Sequence, residues 1–182
     1  MIDTPRLRLL PLDEADREPL ARLFADPEVT RFLPQLAAAN LDAARALASQ
    51  RIERYAAQWR TQGLAPWALR LRQDGALVGW CGLRATPEFD AVEMVWLVAR
   101  AHWGRGLAAE AARAALDYGF MRRGLPRLIA LILPGNSASV RLAERLGMRY
   151  ERHVPVNYLG GGAAQLFRLT RTDYLASLGG AR

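Results

Sequence analysis

Between residues 92 and 123 the chain passes from an apolar strand, Glu93-Met94-Val95-Trp96-Leu97-Val98, through a short link into Trp103-Gly104-Arg105-Gly106-Leu107-Ala108 and then an alanine-rich helix. A strand that feeds a glycine-rich turn and then a helix constrains the fold more than any other feature of this sequence. It implies an α/β arrangement in which the first N–H groups of the helix, and the positive end of its dipole, meet at the end of a strand. Such a site suits a phosphate or pyrophosphate. Gly104 and Gly106 let the backbone bend and come close to an anion, and Arg105 adds a charge-assisted donor. Two familiar phosphate loops do not fit. The third glycine and the later acidic residue of a dinucleotide fold are missing, and a nucleotide-triphosphate loop needs Gly-Lys-Ser/Thr in a chain that has no lysine.

The rest of the sequence frames this unit. Leucine alternating with arginine predicts a first strand over 6–12. Asp13 reads as the cap of a helix reaching about 25, with Pro19 near its first turn. Asn40 caps a long helix over 41–61, in which Leu47, Ile52, Tyr55 and Trp59 recur at helical spacing and Gly63 stops the run. Strands over 67–72 and 77–84 flank Gln73-Asp74-Gly75-Ala76, a hairpin signal because Asp-Gly tolerates positive φ. A strand over 92–98 and the helix 107–123, closed by Gly124, come next. They are followed by an aliphatic strand over 127–133, a helix over 137–146 ended by Gly147, and strands over 149–157 and 164–170 joined at Gly160-Gly161-Gly162. No repeat or linker divides 1–182, so the chain is expected to form one domain.

Composition narrows the class. All 25 basic residues are arginine, and the net charge is +7. The arginines are scattered and no aromatic-flanked basic stripe appears, which gives nucleic-acid binding little support. The N-terminus has no secretory pattern, and the longest aliphatic run, 128–133, is too short to span a bilayer. A lone Cys81 allows no internal disulfide, and two distant histidines make no metal cluster. A cytoplasmic protein without a metal is expected.

The stretch Trp103–Ala108, followed by Glu110-Ala111, resembles the acetyl-CoA-binding motif of the GNAT superfamily, in particular the branch of ribosomal-protein N-terminal acetyltransferases. Three other segments are similar to that branch in the right order: Thr4-Pro5-Arg6-Leu7-Arg8-Leu9 at the start, Asn136-Ser137-Ala138-Ser139 with Leu142 and Leu146-Gly147-Met148, and Leu169-Thr170-Arg171-Thr172-Asp173-Tyr174 near the end. The resemblance covers about residues 4–175. It implies a GNAT fold: a mixed central sheet of about six to seven strands flanked by helices, with the fourth and fifth strands splayed apart. It also implies acetyl-CoA as acyl donor and a primary amine, a protein N-terminus or a small molecule, as acceptor; a homodimer is left open. The chain departs from the branch at Val95-Trp96 and Arg100, and at Ala143, where many members carry a tyrosine that protonates the leaving thiolate.

Direct acyl transfer requires a neutral amine, an aligned thioester, a donor for the tetrahedral oxyanion and a proton for the thiolate. The resemblance assigns CoA contacts to Leu97, Val98, Trp103, Gly104, Arg105, Gly106, Leu107, Ala108, Asn136 and Ser139. Pantetheine would pair with the main chain of Leu97 and Val98, and the Val98 N–H would face the oxyanion. Glu93 is the expected base, with His102 and His153 as alternatives, while Glu88 and Asp90 could attract a cationic amine. Ser139 is the expected acid and Asn136 an amide contact to pantetheine, although Asn136, Ser137 and Ser139 also read as helix caps. Glu110 is expected to support the helix N-terminus and Cys81 to be buried. Trp59, Trp67, Trp80 and Trp96 read as core aromatics. The competing functions are a GNAT fold that senses acyl-CoA without turnover and a ribosome- or RNA-associated module.

Overall fold

A computed structural model describes residues 1–156 and 162–179. It places β1 (Ile2–Asp3), β2 (Leu7–Pro11), β3 (Pro66–Leu71), β4 (Leu77–Thr86), β5 (Ala91–Val98), β6 (Arg127–Ile132), β7 (Arg149–Val156) and β8 (Gly162–Thr170) in one eight-stranded sheet of order β1-β2-β3-β4-β5-β6-β8-β7. Seven of these strands correspond to the expected ones. The eighth, β1, is a two-residue edge piece with too little sequence to show a period. Every neighbouring pair is antiparallel except β5 and β6, which run parallel. The glycine turn expected at 160–162 lies, apart from Gly162, outside the described residues.

The helices are α1 (Arg17–Ala25), α2 (Pro27–Thr30), α3 (Leu41–Gln62), α4 (Leu107–Asp117), α5 (Ser137–Arg145) and α6 (Arg171–Gly179). Asn40 caps α3 through Ala43 N, and Gly63 ends it in the left-handed conformation, as their types dictate. Asp13 caps a 3-10 turn, Glu14–Asp16, rather than α1 itself, and Pro19 falls in the first turn of α1, where its missing N–H is not needed. The helix expected to continue to 123 instead widens after Asp117 into a π turn, Tyr118–Arg122. That turn lets the Tyr118 hydroxyl reach Gly63 O at 2.9 Å and buries Phe120 completely.

Alternation along the strands divides the core between the two faces of the sheet. On one face Leu7, Leu9, Met94 and Val98 pack with Leu107, Ala111, Ala115 and Phe120. On the other, Trp80 and Leu97 pack with Leu20, Phe24, Ile52 and Tyr55 of α1 and α3. The edge rings of Phe24 and Tyr55 each stand 5.4 Å from Trp80. Burying so many leucine and aromatic side chains at roughly 1.5–3 kcal/mol each holds the helices to the sheet.

Candidate active site

The parallel pair β5 and β6 is joined only at Val92 opposite Leu128 and Glu93 opposite Ile129. Beyond Glu93 the strands diverge, although β5 runs on to Val98 and β6 to Ile132. The backbone of β5 therefore has one edge without a strand partner. Its phase is fixed by Ala99 N donating to Val78 O at 2.8 Å. With Leu97 opposite Trp80, antiparallel alternation turns the main-chain groups of Leu97 and Val95 towards β4, and those of Val98 and Trp96 towards the open edge. Of the two residues expected to pair with pantetheine, Val98 faces the gap with its main chain. Leu97 does not: its polar groups belong to the sheet and its side chain to the core.

A cavity of about 80 Å³ occupies this gap and reaches both faces of the sheet. On the side of α3 it is lined by Gln35, Arg51, Tyr55, Trp80, Arg84 and Glu93; on the other by Trp96, Ile132, Asn136 and Ser139. Glu93 and Ser139, assigned separately from sequence, thus line one cavity. Glu93 is not a solvated strand-end carboxylate. It is buried, and its Oε2 accepts from Arg84 Nη2 at 2.7 Å, Arg84 Nε at 2.9 Å and Thr86 Oγ1 at 3.2 Å. Arg84 stands directly across from it on β4, and the charge pair satisfies a carboxylate that would otherwise be costly to bury.

Ser139 lies in the first turn of α5. Asn136 Oδ1 accepts from Ser139 N at 3.1 Å, so Asn136 is the helix cap. The Ser139 hydroxyl oxygen accepts from the Trp96 indole Nε1 at 3.1 Å. With one lone pair held by the indole, the hydroxyl proton is directed elsewhere and available as a donor. Ala143, one turn later, is fully buried.

The glycine turn has the conformation its sequence requires. Gly104 and Gly106 adopt φ of 72° and 76°. Gly106 precedes α4 without any side-chain cap, which leaves the first N–H groups, those of Leu107 and Ala108 among them, as orphan donors at the positive end of an 11-residue helix. The Leu107 side chain is core. Trp103 is 49% exposed and its Nε1 donates to Val98 O at 2.7 Å, pinning the turn to the open edge of β5. The Arg105 side chain is exposed beside His102 Nδ1 at 3.3 Å.

The N-terminal segment supports this turn through Glu110. Its Oε1 accepts from Thr4 Oγ1 at 2.6 Å and Arg6 N at 2.8 Å, its Oε2 accepts from Arg6 Nε at 2.7 Å, and Arg6 Nη1 donates to Arg105 O at 2.7 Å. Burial works to raise the Glu110 carboxyl, but the bonds from Thr4 and Arg6 outweigh it and hold the group below its ordinary range. Glu110 is thus a mechanical link between two distant motifs as well as a charge at a helix start.

The remaining candidates lie elsewhere. His102 sits in the 3-10 turn Arg100–His102 and His153 pairs with the Tyr150 hydroxyl at 2.8 Å; neither lines the cavity. Glu88 and Asp90 lie exposed around the turn Pro87–Phe89, also off the cavity. Burial pushes the Cys81 thiol up to about 12, which removes it as a nucleophile at neutral pH. Trp80 and Trp96, expected only as core, both line the cavity. Arg84, Thr86, Arg51 and Gln35 were not singled out from sequence. The facing positions of Arg84 and Glu93 across the strands that the link 85–91 joins were the one available signal; Arg51 and Gln35 had none, because they arrive from distant segments.

Among the described residues no helix is long and apolar enough to cross a membrane, and no group of three or more His, Cys, Asp and Glu is placed to hold a metal. Residues 6–149 match the model of the acetyltransferase (GNAT) domain. The chain is 35% identical over 159 residues to protein YkkB of Bacillus subtilis (strain 168), covering 83% of this chain and 86% of the relative. It is 27% identical over 149 residues to the N-acetyltransferase p20 of Bacillus licheniformis, covering 81% and 82%. A solved structure from Bordetella pertussis, assigned to the GnaT acetyltransferases, superposes with a TM-score of 0.74 at 31% identity, covering 92% of this chain and 97% of that one. The splayed strands, the open helix start and these similarities agree: the chain belongs to the GNAT family of acetyltransferases and is an acyltransferase.

Proposed function

We propose that the protein transfers an acetyl group from acetyl-CoA directly to a primary amine, in a ternary complex within the cytoplasm. The observation that carries this reading is the continuous cavity between β5 and β6, which holds the Glu93 carboxylate towards one face and the Ser139 hydroxyl towards the other. The pyrophosphate of CoA binds at the N–H groups following Gly106, and its pantetheine arm lies along the open edge of β5. The thioester carbonyl then meets the Val98 N–H, which receives the negative charge as the amine nitrogen attacks. Glu93 takes the surplus amine proton, directly or through one water. Arg84 and Thr86 fix this carboxylate in place. The tetrahedral intermediate collapses with cleavage of the C–S bond, Ser139 supplies the thiolate with the proton that Trp96 has turned away from the indole, and the serine is reprotonated from water as Glu93 returns its proton to solvent. Cys81 takes no part, because no acyl-enzyme forms.

A thiol-release assay over a panel of amines tests the reading. Ser139→Ala and Glu93→Gln each lower kcat by about 100-fold, the usual contribution of a positioned acid or base, while equilibrium binding of acetyl-CoA stays within about twofold. Acetyl-CoA binding without turnover of any amine would overturn the proposal in favour of a sensor.

A further inference from the structure

Towards α3 the cavity is unusually cationic for a site that must receive an amine. Among the described residues its ionisable lining there consists of the guanidiniums of Arg51 and Arg84, the Glu93 carboxylate and the Tyr55 phenol. Glu93 is already matched by Arg84 at 2.7 Å. Arg51 has no carboxylate within ion-pair distance among the described residues. Its Nη2 donates to Gln35 O at 3.3 Å, its guanidinium also meets the Tyr55 hydroxyl, and its Nε is buried with no hydrogen-bond partner among the described residues. Burial, reinforced by the nearby charges of Arg54 and Arg84, presses the Arg51 guanidinium below its ordinary value. The side-chain oxygen Oε1 of Gln35, which lines the same cavity, is also buried and unpartnered among the described residues. Buried polar groups are nearly always satisfied, so a cation with a spare donor and a spare acceptor lining one cavity describe a ligand by its complement.

We infer that the acceptor is a small amine carrying a carboxylate, of the amino-acid type, whose carboxylate is held by Arg51 and whose own N–H is received by Gln35. The inference rests on the acetyl-transfer reading and names the acceptor class of that same site. Three physical points support it. A carboxylate is planar and matches the guanidinium fork, so it satisfies the orphan Nε and the charge together. The cavity of about 80 Å³ has room for a compact carboxylate head group. An extended polyamine would bring further ammonium charges against two guanidiniums, a like-charge contact that opposes binding. The same positive lining favours the neutral form of the incoming amine, which is the nucleophile that acyl transfer needs.

The test compares each of several amino acids with its primary amide and with the amine lacking the carboxyl carbon, using the full-length protein and saturating acetyl-CoA. Spermidine and short peptides complete the panel. The free carboxylate is expected to raise kcat/KM about tenfold or more over the amide, the usual value of a charge-assisted pair. Arg51→Gln abolishes this preference while leaving the KM for acetyl-CoA unchanged, and Arg51→Lys, which keeps the charge but not the fork, retains part of it, which guards against a folding defect. Equal or better turnover of amides, spermidine or peptides overturns the inference, as does a preference that survives Arg51→Gln. A second readout does not depend on turnover: N-acetylated amino acids and their amides are titrated against the fluorescence of Trp80 and Trp96, which line the cavity. Carboxylate-selective, Arg51-dependent quenching without any transfer would uphold the pocket and overturn the acetyl-transfer reading; absence of selectivity in both assays overturns the pocket.

Discussion

Replacing Glu110 with glutamine separates the support of the CoA turn from the chemistry. The substitution keeps one oxygen for Thr4 Oγ1 and Arg6 N but presents an NH2 group to Arg6 Nε, where a 2.7 Å ion pair stood. Glu110 is only 13% exposed, so the lost contact is partly shielded, whereas Arg6 is 51% exposed and its side of the pair is weakened by solvent. The net cost to stability is about 1 kcal/mol, or a fall in Tm of about 2–4 °C for a chain of this size. Glu110→Ala leaves the Thr4 hydroxyl and the Arg6 amide without acceptors too, and costs about 3 kcal/mol.

The larger effect of Glu110→Gln is on the donor site. Once Arg6 is released, its Nη1 no longer fixes Arg105 O, and the turn must be ordered by the ligand. About 1 kcal/mol of ordering raises the KM for acetyl-CoA about fivefold, while kcat stays within about twofold because Ser139 and Glu93 do not touch this clasp. The pH dependence has a definite sign. The folded carboxyl lies below its ordinary 4.5. Its contribution is therefore complete above that value and is lost as the pH falls through the lower folded value. The difference in Tm between the wild type and Glu110→Gln should be constant from neutrality to about pH 5 and should shrink under stronger acid. Differential scanning fluorimetry and initial rates over an acetyl-CoA series measure both. A variant with unchanged KM and reduced kcat would show that Glu110 acts at the reacting centre instead of on the turn.

Gly104→Ala and Gly106→Ala force an L-residue to φ near 72° and 76°. Each should cost about 1–2 kcal/mol and weaken acetyl-CoA binding measured by calorimetry, the strain rather than a clash being the cause at Gly104, where an added Cβ meets nothing within 4 Å. At Gly79 the opposite holds: a Cβ would stand 2.0 Å from Leu97 O, so Gly79→Ala should displace β5 and destabilise the fold by several kcal/mol in urea titration. Cys81 in the native protein should resist a thiol reagent at pH 8 and react fully in denaturant, because burial keeps the thiol protonated. Trp96→Phe retains the ring and removes the bond to Ser139; kcat should fall several-fold, less than for Ser139→Ala, with acetyl-CoA binding preserved.

The order of elements was legible in the sequence because it depends on local signals. Asn40 and Gly63 bracket α3, Asp74-Gly75 closes a hairpin, and Gly104 and Gly106 demand positive φ whatever surrounds them. Elements set by tertiary packing were not: β1 has two residues, and the π turn after Asp117 follows from where Tyr118 and Phe120 must go; α6 starts directly at the end of β8, where Thr170 ends the strand and also caps the helix by accepting from Asp173 N at 3.1 Å. The site divides in the same way. The glycine turn is contiguous and could be read. The cavity on the side of α3 gathers Gln35, Arg51, Arg84 and Glu93 from four separate segments, so no spacing in the chain signals it. Leu97 and Val98 show the limit of a strand assignment, since which of two neighbours faces the gap depends on the phase of the β4–β5 ladder, set here by the bond from Ala99 N to Val78 O.

Two tryptophans that look like incidental hydrophobic residues resolve the consequence of splaying a sheet. Once β5 leaves β6, its open edge and the two helix starts that flank it have no ladder to hold them in register. Trp103 reaches back from the CoA turn to Val98 O, and Trp96 reaches out from β5 to Ser139 Oγ in the first turn of α5. Each indole has a single donor, so each fixes a direction as well as a distance. The start of α4 and the start of α5 are thereby tied to the same strand at positions two residues apart. The glycine turn and Ser139 are thus set against one strand. It also accounts for Ala143 in place of a tyrosine. With the hydroxyl at 139 already oriented by an indole from β5, the same face of α5 one turn on is free to be core, and Ala143 is buried there.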